Sequence, residues 1–286
     1  MTPLRQKMID IMTVKNFSPL TQKSYLYSVY SLTKYYHLSP DELGQDEIQR
    51  YLIYLVKEKN LAANSCRLQL NGIRFFFRQV LNRPAYKLLL HYPKRPLRIP
   101  DLLTRHEALN LVNAPDNLKH RTQLQVCYGC GLRVSEVVAL RVKDIDSERG
   151  QLKVEQGKGA KDRFVPLSSI LINQLRNYWY HYRPLDKLFY LNSSFNRATG
   201  VSALQRVYGR SKKIIKLEKK GGIHALRHAF ATHQLEKGVP IHILQRWLGH
   251  KDIHTTMRYV HWVPNYQSGL SYFNDLLDEE AGHDSD

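Results

Sequence analysis

The sequence is short of cysteine, short of acid, and without a long apolar run. Three cysteines in 286 residues are too few for a disulfide framework. No apolar stretch approaches the roughly 20 residues that a membrane-spanning helix needs. The start, Met1-Thr2-Pro3-Leu4-Arg5-Gln6-Lys7, has charge but no apolar segment behind it, unlike a secretory signal. These absences predict a reducing cytoplasm as the compartment. Asp and Glu total 25 against 43 Lys and Arg, a formal charge of +18. Such an excess calls for a polyanionic partner, because each phosphate contact releases counterions. Nucleic acid is the first candidate. An anionic membrane surface is second, but no isolated basic amphipathic segment supports it. The hydrophobic fraction of 43% is enough for real cores and excludes wholesale disorder.

Residues 18–90 read as helical. Leu26, Val29, Tyr30 and Thr33 recur at helical spacing, as do Ile48, Leu52 and Leu55. Ser18 reads as one helix start, and Ser39-Pro40-Asp41-Glu42 as another. Residues 65–81 read as a long helix carrying Arg67, Arg74 and Arg78 among Leu68, Leu70, Ile73 and Phe77. Solvated charge on a small bundle is the plain account. In so basic a chain, a face that grips a DNA backbone is the preferred one. Tyr92-Pro93-Lys94-Arg95-Pro96-Leu97-Arg98-Ile99-Pro100 reads as an extended, semi-rigid linker. Lys94 and Arg95 suit a strap lying along phosphates. The expected organisation is a helical domain at residues 1–92, a linker at 93–101 and a second domain at 102–286.

In the second domain, residues 102–112 and 121–140 read as helices. Apolar and polar residues alternate over residues 151–155 and 163–167, on either side of Gly157-Lys158-Gly159-Ala160-Lys161-Asp162. That pattern predicts a β-hairpin. Helices are expected again over residues 168–182 and 201–277, followed by an acidic, fraying end. The fold class is mainly α with a small β-hairpin or sheet, an α+β arrangement.

Several residues carry chemistry. Glu136 lies one helical turn after Arg133, so the two form either an ordinary ion pair or a fixed guanidinium clamp. His224 and Arg227 are one turn apart on one helix face, with Leu226 and Phe230 pointing to the core. His224 and His228 have a zinc-ligand spacing. Ala225 stands where a zincin helix carries Glu, and Arg227 puts fixed positive charge among the ligands, so no metal site is expected. Cys127 and Cys130 read as packing. The Lys158 loop lacks the spacing of a Walker A loop and reads as a mobile loop that delivers an ammonium to DNA.

In this order and spacing the motifs are specific. They are Gly131-Leu132-Arg133-Val134-Ser135-Glu136, the Lys158 hairpin, His224-Ala225-Leu226-Arg227-His228, Leu248-Gly249-His250, and Thr255-Thr256-Met257-Arg258-Tyr259-Val260-His261. Together they closely resemble the tyrosine recombinase (phage integrase) family, nearest to its Xer and integron integrase branches. Residues 183–222 are too short for the insertion that many integron integrases carry. The resemblance implies two phosphate-clamping arginines, Arg133 and Arg227, and two active-site histidines, His224 and His250. It also implies the hairpin lysine Lys158, the supporting acid Glu136 and the nucleophile Tyr259. It implies a SAM-like core-binding domain that forms a clamp on DNA with the catalytic domain, four protomers on two paired duplex sites, and neither metal nor ATP as cofactor. Residues 265–277 either pack on their own domain or dock on a neighbouring protomer, as the C-terminal segment often does in this family; docking is the preferred reading.

The chemistry suits these residue types. A phosphodiester resists attack because it is anionic and its alkoxide leaves poorly. Arginine forks and a histidine donor neutralise the charge that gathers on the non-bridging oxygens. A tyrosine with an ordinary pKa near 10 is protonated at neutral pH. His224 is expected to accept or relay its proton, and Lys158 is the expected acid for the leaving 5′ oxygen. The rival readings are a type IB topoisomerase-like relaxing enzyme, a DNA-binding regulator with a decayed site, and a metal-dependent nuclease. The regulator should lack catalytic residues, and all seven are present.

Overall fold

The computed structural model describes residues 2–83, 100–155, 162–191 and 194–263. The chain divides into two compact units, Met1–Pro96 and Leu97–Asp286. Lys94, Arg95, Lys158 and the segment expected to dock on a neighbour lie outside the described residues.

The first unit is helical: α1 (Pro3–Val14), α2 (Pro19–Tyr36), α3 (Gln45–Lys57) and α4 (Ala63–Phe75), which runs into a π-helical turn, Phe76–Val80. Ser18 starts α2 as expected: its Oγ accepts from the Thr21 amide at 3.2 Å, and Pro19 supplies a preset first turn. The core is aliphatic and aromatic, built on Met8, Met12, Leu32, Ile48, Leu52, Ile73 and Phe76. α2 and α4 approach closely at Gly72, where a Cβ would stand 2.7 Å from Ser28 Cβ.

Two expectations fail here. Ser39 to Glu42 is a turn, closed by the Glu42 amide on the Ser39 carbonyl at 3.1 Å. α3 opens only at Gln45, where Glu47 Oε2 caps the Gly44 amide at 3.0 Å. Arg83 holds the turn down by donating to the Leu43 carbonyl at 3.0 Å. Tyr30 is 57% exposed, because the buried stripe of α2 is Ser28, Val29 and Leu32. Seating Ser28 against Gly72 turns Tyr30, about 200° further round the helix, to solvent.

The second unit begins with α5 (Arg105–Asn113), α6 (Leu118–Gly129), α7 (Val134–Ala139) and a short 3₁₀ turn. Strands β1 (Ile145–Asp146), β2 (Gln151–Val154) and β3 (Arg163–Pro166) form one antiparallel sheet in that order. Leu152 pairs with Val165 and both are buried, so one face of the hairpin packs on the core. Then come α8 (Ser169–Tyr182), an antiparallel pair β4 (Tyr190–Leu191) and β5 (Ser194–Ala198), and helices α9 (Val201–Ile214), α10 (His224–Glu236), α11 (Ile241–Leu248) and α12 (Ile253–Val260). The hairpin and most helices match the sequence pattern; β1 and the β4–β5 pair were not anticipated. A separate small core of Phe230, Leu235, Leu244, Leu248, Tyr259 and Val263 ties α10, α11 and α12 together.

Candidate active site

The site is built on the first turns of α10. Phe230 fills the space that Gly131 leaves open. Gly131 has φ +59°, and a Cβ there would stand 2.3 Å from the Phe230 ring. No residue other than glycine suits both demands. This close approach breaks the helical run expected over residues 121–140. It also turns the Gly131 carbonyl toward Arg227, whose Nη1 donates to it at 2.7 Å. Nη2 donates to the Leu248 carbonyl at 2.6 Å and to His250 Nε2 at 3.0 Å. Arg227 is thereby 1% exposed. Burial, then the neighbouring Arg133, lowers its pKa to about 10, so it stays charged at neutral pH.

Arg133 caps α7. Glu136 Oε2 accepts the Arg133 amide at 2.8 Å, and Oε1 accepts its Nη1 at 2.8 Å. The one-turn pair read from sequence is therefore present. Sequence reasoning gave Arg163 no role. This residue opens β3 and donates Nη1 and Nη2 to the two Glu136 oxygens at 3.0 and 2.8 Å. Its Nε donates to the Trp247 carbonyl at 2.7 Å. The fork ties the base of the hairpin to α7 and α11. Burial acts to raise the Glu136 pKa, but the Arg163 hydrogen bonds and charge, with the Arg133 contacts, outweigh it and hold the carboxyl at about 2. Arg163 directly follows the quoted loop and opens the second alternating strand, yet an arginine beside Asp162 reads as solvated until α7 is brought under it.

Gly249 ends α11 at φ +65°, and a Cβ there would stand 2.8 Å from Arg163 Cδ. The turn places His250 with Nδ1 2.9 Å from Thr256 Oγ1. Arginine has only donors, so His250 Nε2 accepts from Arg227 and the ring proton sits on Nδ1, facing Thr256. Burial, then Arg227 and Arg133, depresses the His250 pKa to about 3. The ring is neutral.

Tyr259 lies on α12 and is 4% exposed. Its ring stacks parallel to His250 at 6.2 Å and meets Trp262 edge-on at 5.2 Å. Its hydroxyl is 3.2 Å from His228 Nδ1. Burial raises the phenol above its ordinary pKa, and the opposing pull of Arg227 and Arg133 is the weaker effect. His228 is depressed to about 4 by burial, then by His224 and Arg227. His224 is more open and packs edge-on against His228, 4.5 Å between ring centres. The protein beneath His224, then Arg227 and Arg133, also disfavours its charged form.

Arg133, His224, Arg227, His228, His250 and Tyr259 line one cleft of about 840 Å³. Six of the seven motif residues named from sequence thus converge, counting Glu136 beneath Arg133; the seventh, Lys158, lies outside the described residues. Arg67, Arg74 and Arg78 are exposed on the other unit, along α4 and its π-helical extension. Among the described residues no group of three His, Cys, Asp or Glu side chains is arranged to hold a metal. Cys127 and Cys130 are buried, and burial pushes both thiols up, Cys130 to about 12; they act as packing.

Comparison with known proteins identifies the family. Residues 101–265 match the Phage integrase family, and residues 4–86 match the Phage integrase, N-terminal SAM-like domain. A putative integrase/recombinase of Sinorhizobium fredii is 40% identical over 98% of this chain and 91% of its own length. The tyrosine recombinase XerD of Yersinia pestis is 32% identical over 91% of this chain and 92% of its own. The crystal structure of the XerH site-specific recombinase bound to difH substrate in a pre-cleavage complex shares the fold. Its TM-score is 0.67 at 20% identity, over 86% of this chain and 76% of that one. The chain belongs to the phage integrase family of tyrosine recombinases.

Proposed function

We propose that this protein is a site-specific DNA recombinase that cuts and rejoins duplex DNA through a 3′-phosphotyrosyl intermediate. The observation that carries the proposal is the position of Tyr259, in a cleft that Arg133, Arg227, His224, His228 and His250 also line. Arg133 and Arg227 bind the non-bridging oxygens of the scissile phosphate, where charge gathers in the transition state. Glu136 holds Arg133 in place. Tyr259 Oη attacks phosphorus, the P–O5′ bond breaks, and Lys158 protonates the leaving oxygen. The new phosphodiester to tyrosine retains the energy of the old one, so a 5′ hydroxyl from a partner strand can reverse the step without ATP. The guanidinium groups supply the charge that a metal supplies elsewhere.

The partners in this reading are double-stranded recombination sites, bound by four protomers on two paired sites. Arg67, Arg74, Arg78, Lys94 and Arg95 serve as backbone contacts. Action is on the nucleoid in the cytoplasm, in integration, excision or resolution. The similarity to integrases and recombinases across both units favours strand exchange over simple relaxation. No helix among the described residues is long and apolar enough to cross a membrane.

The test is a pool of nicked duplexes of randomised sequence. The protein should form a covalent adduct with a selected subset. Tyr259→Phe should form none, and paired copies of the selected site should give crossed products. Relaxation of supercoiled DNA without crossed products would favour the topoisomerase-like reading.

A further inference from the structure

The catalytic reading leaves His228 without a task, yet this cleft residue touches the hydroxyl of the nucleophile. Its Nδ1 is 3.2 Å from the Tyr259 hydroxyl. His224 instead packs its ring on His228, and His250 spends its nitrogens on Arg227 and Thr256. Either ring tautomer could make this contact. The arrangement that suits proton transfer has the phenol donating to His228 Nδ1, with the ring as the neutral Nε2–H tautomer.

We propose that His228 is a catalytic residue, the base that takes the phenol proton of Tyr259 during cleavage and returns it during rejoining. The proposal rests on Tyr259 being the nucleophile. In the step, the Oη–P bond forms and the P–O5′ bond breaks. The phenol proton passes to Nδ1 and leaves an imidazolium, while the leaving oxygen takes the Lys158 proton. Rejoining runs the same transfers backward, and no other reactant is needed.

The groups facing His228 set when it can act. His224 and Arg227 lie on its own helix. Tyr259 and Trp262 face it from α12 and the residues after it. In the free protein burial, then His224 and Arg227, holds the ring neutral, which an acceptor must be. A bound phosphodiester brings negative charge against Arg133 and Arg227. That charge weakens their effect and favours the imidazolium at the moment the proton must move.

The experiment is single-turnover cleavage of a nicked duplex, followed from pH 5.5 to pH 10. Three proteins are compared: wild type, His228→Ala, and His228→Gln, which keeps much of the side-chain volume and a hydrogen-bond acceptor but is not basic. Both variants should lose about 10²–10⁴-fold in cleavage rate near neutral pH, the usual worth of a positioned base. DNA affinity and thermal midpoint of the Gln variant should stay close to wild type. The deficit should shrink as pH rises toward the phenol pKa, and added imidazole should restore part of the rate of the Ala variant. Wild-type rates in His228→Gln would overturn the proposal. So would a deficit that is flat with pH and unmoved by imidazole, which is what a purely structural role gives. An adduct formed by Tyr259→Phe would instead overturn the nucleophile reading itself.

Discussion

In the N-terminal unit, Met8, Met12, Leu32, Ile48, Leu52 and Ile73 fill the interior, and Ser28 is the only buried polar side chain among the described residues. The C-terminal unit also has a large aliphatic core, but beside it are buried Glu136, Arg163, Arg227, His233 and Lys119. The first unit is held by apolar burial, which is non-directional and tolerates exchange of similar volumes. The second is held around its cleft by directional bonds, and losing one member strands the others. The proposed function gives the difference a basis. A guanidinium that must grip a phosphate in one orientation needs a rigid, paired setting, and burial supplies the low dielectric that makes its charge effective. The backbone contacts proposed for Arg67, Arg74 and Arg78 need only exposed charge on a stable bundle.

The contrast can be broken most sharply at Arg227. Arg227→Ala should lower single-turnover cleavage by at least about 10²–10³-fold, the range for removing one transition-state donor. It should also lower the melting temperature, since the Gly131 and Leu248 carbonyls lose their donor. Arg227→Lys should recover little, because one ammonium does not reproduce the fork. Glu136→Ala comes next. It leaves Arg163 buried without its carboxylate and should cost about 3–5 kcal/mol in urea unfolding, as breaking a buried pair does. Gly131→Ala should cost about 1–3 kcal/mol from the left-handed backbone alone, plus strain against Phe230.

A smaller effect is expected from acid. His228 and His250 have folded pKa values of about 4 and about 3, below the unfolded value of about 6.5. Between those limits the unfolded chain binds more protons, so stability is full above about pH 6.5 and falls as pH drops. Glu136, at about 2 when folded, adds loss in the same direction below about pH 4.5. Tryptophan fluorescence isolates this, because Trp179, Trp247 and Trp262 are the three tryptophans and all lie in the C-terminal unit. Its unfolding midpoint should fall between pH 7.5 and pH 5. The smallest effect belongs to the N-terminal unit: Glu47→Gln removes an exposed pair with Arg50 but keeps much of the Gly44 cap, and should cost less than about 1 kcal/mol.

How far the sequence could be read follows the same physics. Local signals were dependable. Ser18, the alternating hairpin strands and the one-turn Arg133–Glu136 pair depend on neighbours a few residues away, and all are found. The Ser39-Pro40-Asp41-Glu42 signal misled because Glu47 and Arg83 offered better partners to the surrounding backbone. Arg163 and His228 were missed as partners for Glu136 and Tyr259, because those contacts join residues 27 and 31 apart in the chain. Only the tertiary fold, which sets α10 against α12 and Arg163 of β3 against Glu136 of α7, creates them. The β4–β5 pair was hidden for another reason, since β4 has only two residues and gives too little pattern to read.

The central claim is that one phenol oxygen, on Tyr259, becomes joined to DNA. The direct measurement is to trap the adduct on a nicked duplex, digest protein and DNA, and locate the remaining nucleotide by mass spectrometry. The account predicts a single modified peptide from α12, with the nucleotide joined through its 3′ phosphate to Tyr259. A nucleotide on any other residue, or one joined through a 5′ phosphate, would contradict it.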